Sequence, residues 1–318
     1  MSAPRVWVTG ASGFVGEALV MHLLLGRKFA PVAAVRGGTR LLGLCPIVRF
    51  ELGATSPAQL VGIHIVVHAA ARVHVMQETA DDALAEFRRI NVDGTLQLAR
   101  SAAQAGVKRF VFISSIKVNG ESTPPGRPFT AQDIPEPQDP YGISKLEAEH
   151  ALRLLGSETG MEIVIIRPPL VYGPGVKANF LSLLNWLDRG MVLPLGGIRN
   201  QRSMVALGNL VSLIETCLGH PAAAGQTFLV SDGSDFSTPG LLRRLASALG
   251  KKARLLPVPS LLLLVCAAAV GKRAVAQRVC ESLQVDISKN REMLGWVPPI
   301  DVDIAMRRTA GHFLDRHK

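Results

Sequence analysis

Cysteine is scarce in this 318-residue chain: Cys45, Cys217, Cys266 and Cys280 stand far apart, with no Cys-x-x-Cys pair and no local histidine cluster. That excludes a disulfide scaffold and a structural zinc site, and fits a reduced, cytoplasmic setting. Aromatic residues make up only 5%, so no base-stacking platform accompanies the basic residues and no nucleic-acid partner is expected. Long hydrophobic runs are missing too. The most apolar stretch, Leu261 to Val270, is about half the roughly 20 residues that cross a bilayer. It reads as a buried helix, so no integral membrane segment is expected, while shallow membrane contact stays open. Met1 to Arg5 runs straight into the strand-like Val6-Trp7-Val8 without the apolar region of a secretion signal. The eight histidines show no metal-ligand spacing, His68 reading as a core residue and His74 as a loop residue. No metal is expected.

What the chain has is an ample apolar share, 48% of residues, with 30 glycines and 20 prolines. Disorder and collagen-like repetition are therefore excluded. Lysine and arginine outnumber aspartate and glutamate by 35 to 25, a formal charge of +10. The excess is dispersed, which suits a small phosphorylated ligand better than duplex nucleic acid. Strands are expected at Arg5 to Val8, Pro31 to Val35, Ile47 to Leu52, Ile63 to Ala69, Phe110 to Ser114 and Glu162 to Arg167. Helices are expected at Phe14 to Leu25, Ala83 to Ala105 and Tyr141 to Gly156, with a proline-rich loop over Thr123 to Pro140. Strands such as Val111-Phe112-Ile113 lack polar alternation, the mark of a parallel sheet covered on both faces. The expectation is an α/β chain with a Rossmann-like, doubly wound parallel sheet over residues 1–168. A smaller C-terminal substrate-binding domain would occupy 169–318, with a strand near 225–231 returning to the first sheet.

Directly after the first strand comes Thr9-Gly10-Ala11-Ser12-Gly13-Phe14-Val15-Gly16. Gly10 permits a tight strand-to-helix turn, Gly13 a close approach to a pyrophosphate, and Gly16 close packing of the helix on the sheet. Backbone amides at the helix N-terminus then bind the anion. The second strand ends in Val35-Arg36-Gly37-Gly38-Thr39-Arg40, with no carboxylate to accept a ribose 2′-hydroxyl or repel a 2′-phosphate. Arg36 and Arg40 therefore favour NADP, with NAD possible; the alternative is that both arginines are plain solvated loop residues.

A second motif is Tyr141-Gly142-Ile143-Ser144-Lys145, which puts a phenol and an ammonium on one helix face. A tyrosine is a poor acid–base catalyst near neutral pH unless a neighbouring cation lowers its pKa. Upstream, Phe112-Ile113-Ser114-Ser115 ends a strand and offers a hydroxyl at the carboxyl edge of the sheet, where open parallel sheets bind ligands.

With TGASGFVG at Thr9 to Gly16, the segments VVHAAA at Val66 to Ala71, NVDGT at Asn91 to Thr95, FISSIKVNG at Phe112 to Gly120, YGISK at Tyr141 to Lys145 and RPPLVYGPG at Arg167 to Gly175 carry a resemblance. The chain resembles the extended short-chain dehydrogenase/reductase family of nucleotide-sugar epimerases, dehydratases and reductases along essentially its whole length. The resemblance implies Tyr141 as acid–base residue, Lys145 as its partner and ribose ligand, and Ser115 rather than Ser114 as donor to the substrate oxygen. It implies cofactor contacts at Gly10, Ser12, Gly13, Phe14, Val15, Gly16, Ala69, Ala70, Ala71, Asn91 and Pro168, and substrate contacts at Asn179, Leu193 and Arg202. The family's usual Val-Tyr-Gly reads Val118-Asn119-Gly120 here, and Lys117 stands at a position usually small or hydroxylated. Both are expected beside the sugar.

The segments ISSIKVNGE, VHVMQE at Val73 to Glu78 and GPGVKANF at Gly173 to Phe180 are similar to a narrower bacterial group acting on UDP-N-acetylated sugars for surface polysaccharides (O-antigen). The resemblance implies a homodimer built on the helices holding Leu84 to Ala105 and Tyr141 to Gly156. The expected reaction is reduction of a UDP-2-acetamido-2,6-dideoxy-4-hexulose at C4 by NADPH. The alternative is a UDP-hexose or UDP-N-acetylhexosamine 4-epimerase. A non-catalytic dinucleotide sensor is the remote third, disfavoured because Ser115, Tyr141 and Lys145 are all present.

Overall fold

The computed structural model describes residues 3–53, 60–72, 82–269, 271 and 273–316. The whole Val73 to Glu78 segment, His74 included, lies outside them, as do Val270 and Lys272. The first half runs β1 (Arg5–Thr9), α1 (Phe14–Gly26), β2 (Ala30–Val35), β3 (Ile47–Arg49), β4 (Ile65–His68), α2 (Ala83–Arg88), α3 (Gly94–Gln104), β5 (Arg109–Ile113), α4 (Pro140–Thr159) and β6 (Glu162–Arg167). The second half runs β7 (Leu170–Tyr172), α5 (Ala178–Asp188), β8 (Val192–Leu193), β9 (Arg202–Ala206), α6 (Leu207–Gly219), β10 (Thr227–Leu229), β11 (Asp235–Phe236), α7 (Thr238–Ala248), β12 (Arg254–Leu255), α8 (Ser260–Ala269), α9 (Arg273–Cys280), α10 (Ser288–Leu294) and α11 (Val302–Asp315).

Seven strands make the main sheet in the order β10-β6-β5-β4-β1-β2-β3, and every pairing is parallel. Successive side chains on a strand feed opposite faces. Val6, Val8, Val67 and Val111 join the core under α1 and α6. Trp7, Val66, Phe110 and Phe112 join the core under α3 and α4. Two-sided burial explains why these strands read as unbroken apolar runs. β10 comes from the second half of the chain and pairs with β6. The other core of the second half gathers side chains of α5, α7 and α11 around the small sheet β11-β9-β7. The chain thereby folds as a Rossmann-like, doubly wound α/β structure.

Two expectations need correction. The helix over Ala83 to Ala105 is divided by a π-helical turn, Arg89–Asp93, between α2 and α3. Such a turn is a common feature of functional sites, and here it carries the buried Asn91. The apolar run from Leu261 forms α8, but none of α8's residues is buried. Its main packing partner is α9, a helix too short to cover it.

The β1–α1 turn is as tight as the glycine spacing requires. Gly10 has φ +65°, and a Cβ there would stand 2.9 Å from the Ala70 amide nitrogen. A Cβ on Gly16 would overlap the Gly10 carbonyl. Gly16→Ala is therefore expected to destabilise the fold by about 1–3 kcal/mol through overpacking, read from the denaturant midpoint.

Candidate active site

The carboxyl ends of β1 and β4 are tied to each other and to α3 by buried polar contacts. Thr9 Oγ1 pairs with His68 Nδ1 at 2.7 Å and accepts from the Ala70 amide at 3.2 Å. His68 Nε2 reaches Thr95 Oγ1 at 2.9 Å, and its ring stacks on Phe112 at 5.8 Å. Both ring nitrogens of this core histidine are thus engaged. Burial first, and then the charge of Lys145, push its pKa down to about 3, so it stays neutral. The network fixes the Ala69-Ala70-Ala71 segment against the glycine turn.

At that turn α1 begins with Gly13 as N-cap and no side-chain cap. The first-turn amides of a helix have no intrahelical acceptor, so those of Phe14, Val15 and Gly16 are left for an anion. A cavity of about 630 Å³ opens here, with Ser12, Gly13, Phe14, Arg40, Gly173 and Lys177 in its wall. Arg36 is exposed at the end of β2 and is not in that wall. Tyr141 and Lys145 are not in it either, so the cavity lies at the glycine-turn end, apart from the Tyr141–Lys145 face of α4.

The reacting end is built where β5 stops beside α4. Asp139 caps α4 by accepting from the Gly142 amide at 2.7 Å, with Pro140 in the first turn. This sets the register that brings Tyr141 and Lys145 onto one face. Ser115 starts a 3₁₀ turn, its hydroxyl accepting from the Lys117 amide, and lies near enough to the Tyr141 phenol to pull its pKa down. Ser114 instead donates to buried Glu149 at 2.6 Å, so of the two serines Ser115 is the one beside the phenol. Lys145 Nζ donates to the Ile113 carbonyl at 2.7 Å and sits 4.0 Å from the Phe112 ring centroid. Burial pulls the Lys145 pKa down to about 7 against the opposing charge of Glu149.

The tyrosine departs from expectation. Burial and then the Asp139 charge push the Tyr141 pKa up to about 12, with only the Ser115 hydrogen bond pulling it down. The Lys145 ammonium rests on a carbonyl and an aromatic face rather than on the phenol. In this geometry it does not lower the tyrosine.

Behind these residues lies a buried ion pair. Arg167 donates from Nε and Nη2 to Glu149 at 2.9 and 2.6 Å, and from Nη1 to Asn119 Oδ1 at 2.9 Å. Burial raises the Glu149 carboxyl, but the Arg167, Ser114 and Arg153 contacts outweigh it and hold the pKa below its ordinary range. Sequence reasoning passed over both partners. Their signals were a charged residue closing an apolar strand, and a carboxylate one turn beyond Lys145.

Several residues expected to touch ligands are committed elsewhere. Asn119 is buried, spends Oδ1 on Arg167 and gives Nδ2 to the Thr130 carbonyl at 3.0 Å. Lys117 pairs with Glu121 at 2.8 Å and with Asp139, bracing the α4 cap. Leu193 packs in the second core and its carbonyl accepts from the Leu256 amide at 2.9 Å. Arg202 gives Nη1 to the carbonyls of Arg278 and Glu281, at 2.6 and 3.2 Å. Asn91 bonds both ways with the Arg72 backbone and donates to Ser144 Oγ at 3.0 Å, so it positions the loop after β4 rather than facing outward. The Pro168 carbonyl accepts from the Ile116 amide at 3.0 Å, joining β6 to the turn after Ser115. Asn179 is exposed in the first turn of α5.

A family model described as the NAD dependent epimerase/dehydratase family matches residues 6–231. The chain belongs to this family. Among relatives of this epimerase/dehydratase, UDP-glucose 4-epimerase of Vibrio cholerae is 45% identical over 315 residues, covering 97% of this chain and 95% of its own. GDP-6-deoxy-D-mannose reductase of Pseudomonas aeruginosa is 27% identical and covers 95% of each chain. The solved structure of UDP-glucuronic acid 4-epimerase from Bacillus cereus in complex with NAD has a TM-score of 0.79 at 20% identity, covering 99% of this chain and 100% of its own. The epimerase/dehydratase described here is a nicotinamide-dependent enzyme.

The buried neutral His68 makes the site acid-sensitive. Its folded pKa of about 3 lies below the ordinary 6.5, so below about pH 6.5 the unfolded chain binds a proton that the native chain does not. Stability should be fully present above that value and fall as pH drops towards 3. Denaturant midpoints at about pH 7 and about pH 4.5 should differ in the wild type and differ less in His68→Gln.

Proposed function

We propose that this enzyme is a UDP-sugar 4-epimerase that inverts C4 of a UDP-hexose or UDP-N-acetylhexosamine. The observation that carries the reading is the full-length likeness to the Vibrio cholerae epimerase. The 4-ketoreductase expectation leaned on Lys117 and Asn119 as features of the sugar pocket. Both are held by protein partners, so that support falls away.

A dinucleotide fits the residues present. The uncapped start of α1 offers amide donors to a diphosphate, and a side chain at Gly10 would collide with the loop that cradles it. Bound there, the nicotinamide supplies reversible hydride acceptance. The protein's residues do the rest. With the positive charge of an oxidised nicotinamide bound beside it to stabilise the phenolate, Tyr141 would take the proton of the C4 hydroxyl and return it, and Ser115 would donate to the C4 oxygen as its charge changes. Lys145, fixed on the Ile113 carbonyl, holds a donor and a positive charge beneath the reacting end. The second half of the chain supplies the UDP side through Asn179, the backbone around Leu193 and the free edge of the Arg202 guanidinium. A homodimer through α2–α3 and α4 accompanies this reading, and light scattering decides it.

One observation favours the reductase as a second reading. The segment after β2, Arg36-Gly37-Gly38-Thr39-Arg40, holds two arginines and no acid, a composition that would suit a 2′-phosphate. Arg36→Asp should weaken NADPH binding by about tenfold or more while changing NADH binding little. Equal loss of both would remove Arg36 from cofactor selection.

Two assays separate the readings. UDP-glucose or UDP-GlcNAc without reductant should give the galacto epimer with no net change in cofactor. Consumption of NADPH on a UDP-4-keto-6-deoxy sugar, with no epimer formed in the first assay, would establish the reductase instead. Tyr141→Phe should lower kcat by about 10²–10⁴-fold in whichever reaction is found, with nucleotide binding retained.

A further inference from the structure

The α8–α9 hairpin turns apolar side chains outward. Leu261, Leu262 and Val265 are 74%, 52% and 59% exposed, while Leu263, Leu264 and Ala267 are half-buried on the side facing the protein. With the exposed Cys266 and Ala269, the outward residues form one continuous helical stripe. Leu256 ahead of it and Val275 on α9 are exposed as well. Single exposed leucines are ordinary on a protein surface, but a contiguous stripe marks an interaction site.

Charge identifies what covers it. From Lys251 to Cys280 the sequence holds Lys251, Lys252, Arg254, Lys272, Arg273 and Arg278, and no aspartate or glutamate. Lys251 is paired with Asp188 at 2.6 Å, and Arg278 stands 4.0 Å from Glu121. Lys252, Arg254 and Arg273 have no acidic partner among the described residues. A second copy of this chain would have to set two such basic faces against each other.

We propose that the α8–α9 hairpin docks on the surface of an anionic lipid bilayer. The apolar stripe enters the headgroup–acyl boundary and the basic residues meet the lipid phosphates. The ten residues of α8 rise about 15 Å, half the roughly 30 Å hydrocarbon thickness. The helix therefore lies along the interface, and no described helix is long and apolar enough to cross it. The hairpin is fastened to the substrate half: Arg202 holds the Arg278 carbonyl, and Asn200 Nδ2 donates to the carbonyls of Val279 and Glu281, both at 3.0 Å. Docking would bring that half of the cleft to the membrane surface, whichever sugar reaction it performs.

The test is flotation of the full-length protein with vesicles. One set is phosphatidylcholine alone, the other contains about one-third phosphatidylglycerol. Binding is expected on the anionic vesicles only, weakened as salt shortens the screening length. The Leu261→Asp, Val265→Asp double variant should bind about tenfold more weakly or worse, with unchanged Tm and NADH affinity. Lys252→Glu, Arg273→Glu should lose the same binding without touching the stripe. Absence of flotation on the anionic vesicles would overturn the proposal. So would equal binding by the aspartate variant, or a concentration-dependent dimer that this variant abolishes.

Discussion

The buried pair of Glu149 and Arg167 is the constraint on which the reacting end depends. Glu149 lies one turn beyond Lys145 on α4, and Arg167 closes β6 next to Pro168. Between them they hold Ser114 at the end of β5 and Asn119 beyond the 3₁₀ turn. One carboxylate thus fixes the helix carrying Tyr141 and Lys145 relative to the strand end carrying Ser115. A pair this deep adds little net stability, because desolvation offsets most of the attraction. Loss of one partner leaves an uncompensated buried charge at about 3–5 kcal/mol. Its contribution is positional.

The same logic governs the glycine-turn end. The Thr9–His68–Thr95 chain sets the distance between the strand ends of β1 and β4, and the glycine turn closes against the loop that follows β4. The two ends share Phe112, which carries the His68 ring on its stacked face and the Lys145 ammonium within 4.0 Å. The glycine-turn end and the Tyr141–Lys145 end are therefore one packed unit, and burial is the largest influence on the proton affinities of His68, Lys145 and Tyr141. Burial and Asp139 together explain why Tyr141 stands high and is not brought down by the lysine four residues on.

The main sheet and the linear motifs were legible in the sequence because their causes are local. The Gly10–Gly16 spacing forces a turn, a Tyr–Lys pair at a four-residue step shares a helix face, and doubly buried strands show as unbroken apolar runs. What was misread depends on partners distant in the chain. Nothing near Lys117 in sequence shows that Asp139 claims its ammonium from 22 residues away, or that Asn119 is consumed by Arg167, 48 residues on. The opposite error occurred at α8, where an apolar decapeptide was read as buried because composition reports hydrophobicity and not what stands over it. The lean towards a reductase rested on Lys117 and Asn119 together with the Arg36 loop, and only the first two are accounted for by protein partners.

Epimerase and reductase differ in where the hydride added at C4 comes from: an epimerase returns the one it took from C4, and a reductase delivers one from NADPH. The most direct measurement is to supply UDP-glucose bearing deuterium at C4, without added reductant, and to locate the label in the product. The account predicts UDP-galactose with the deuterium still at C4 and no cofactor consumed. Failure to form any epimer, alongside NADPH oxidation by a 4-keto sugar nucleotide, would contradict it.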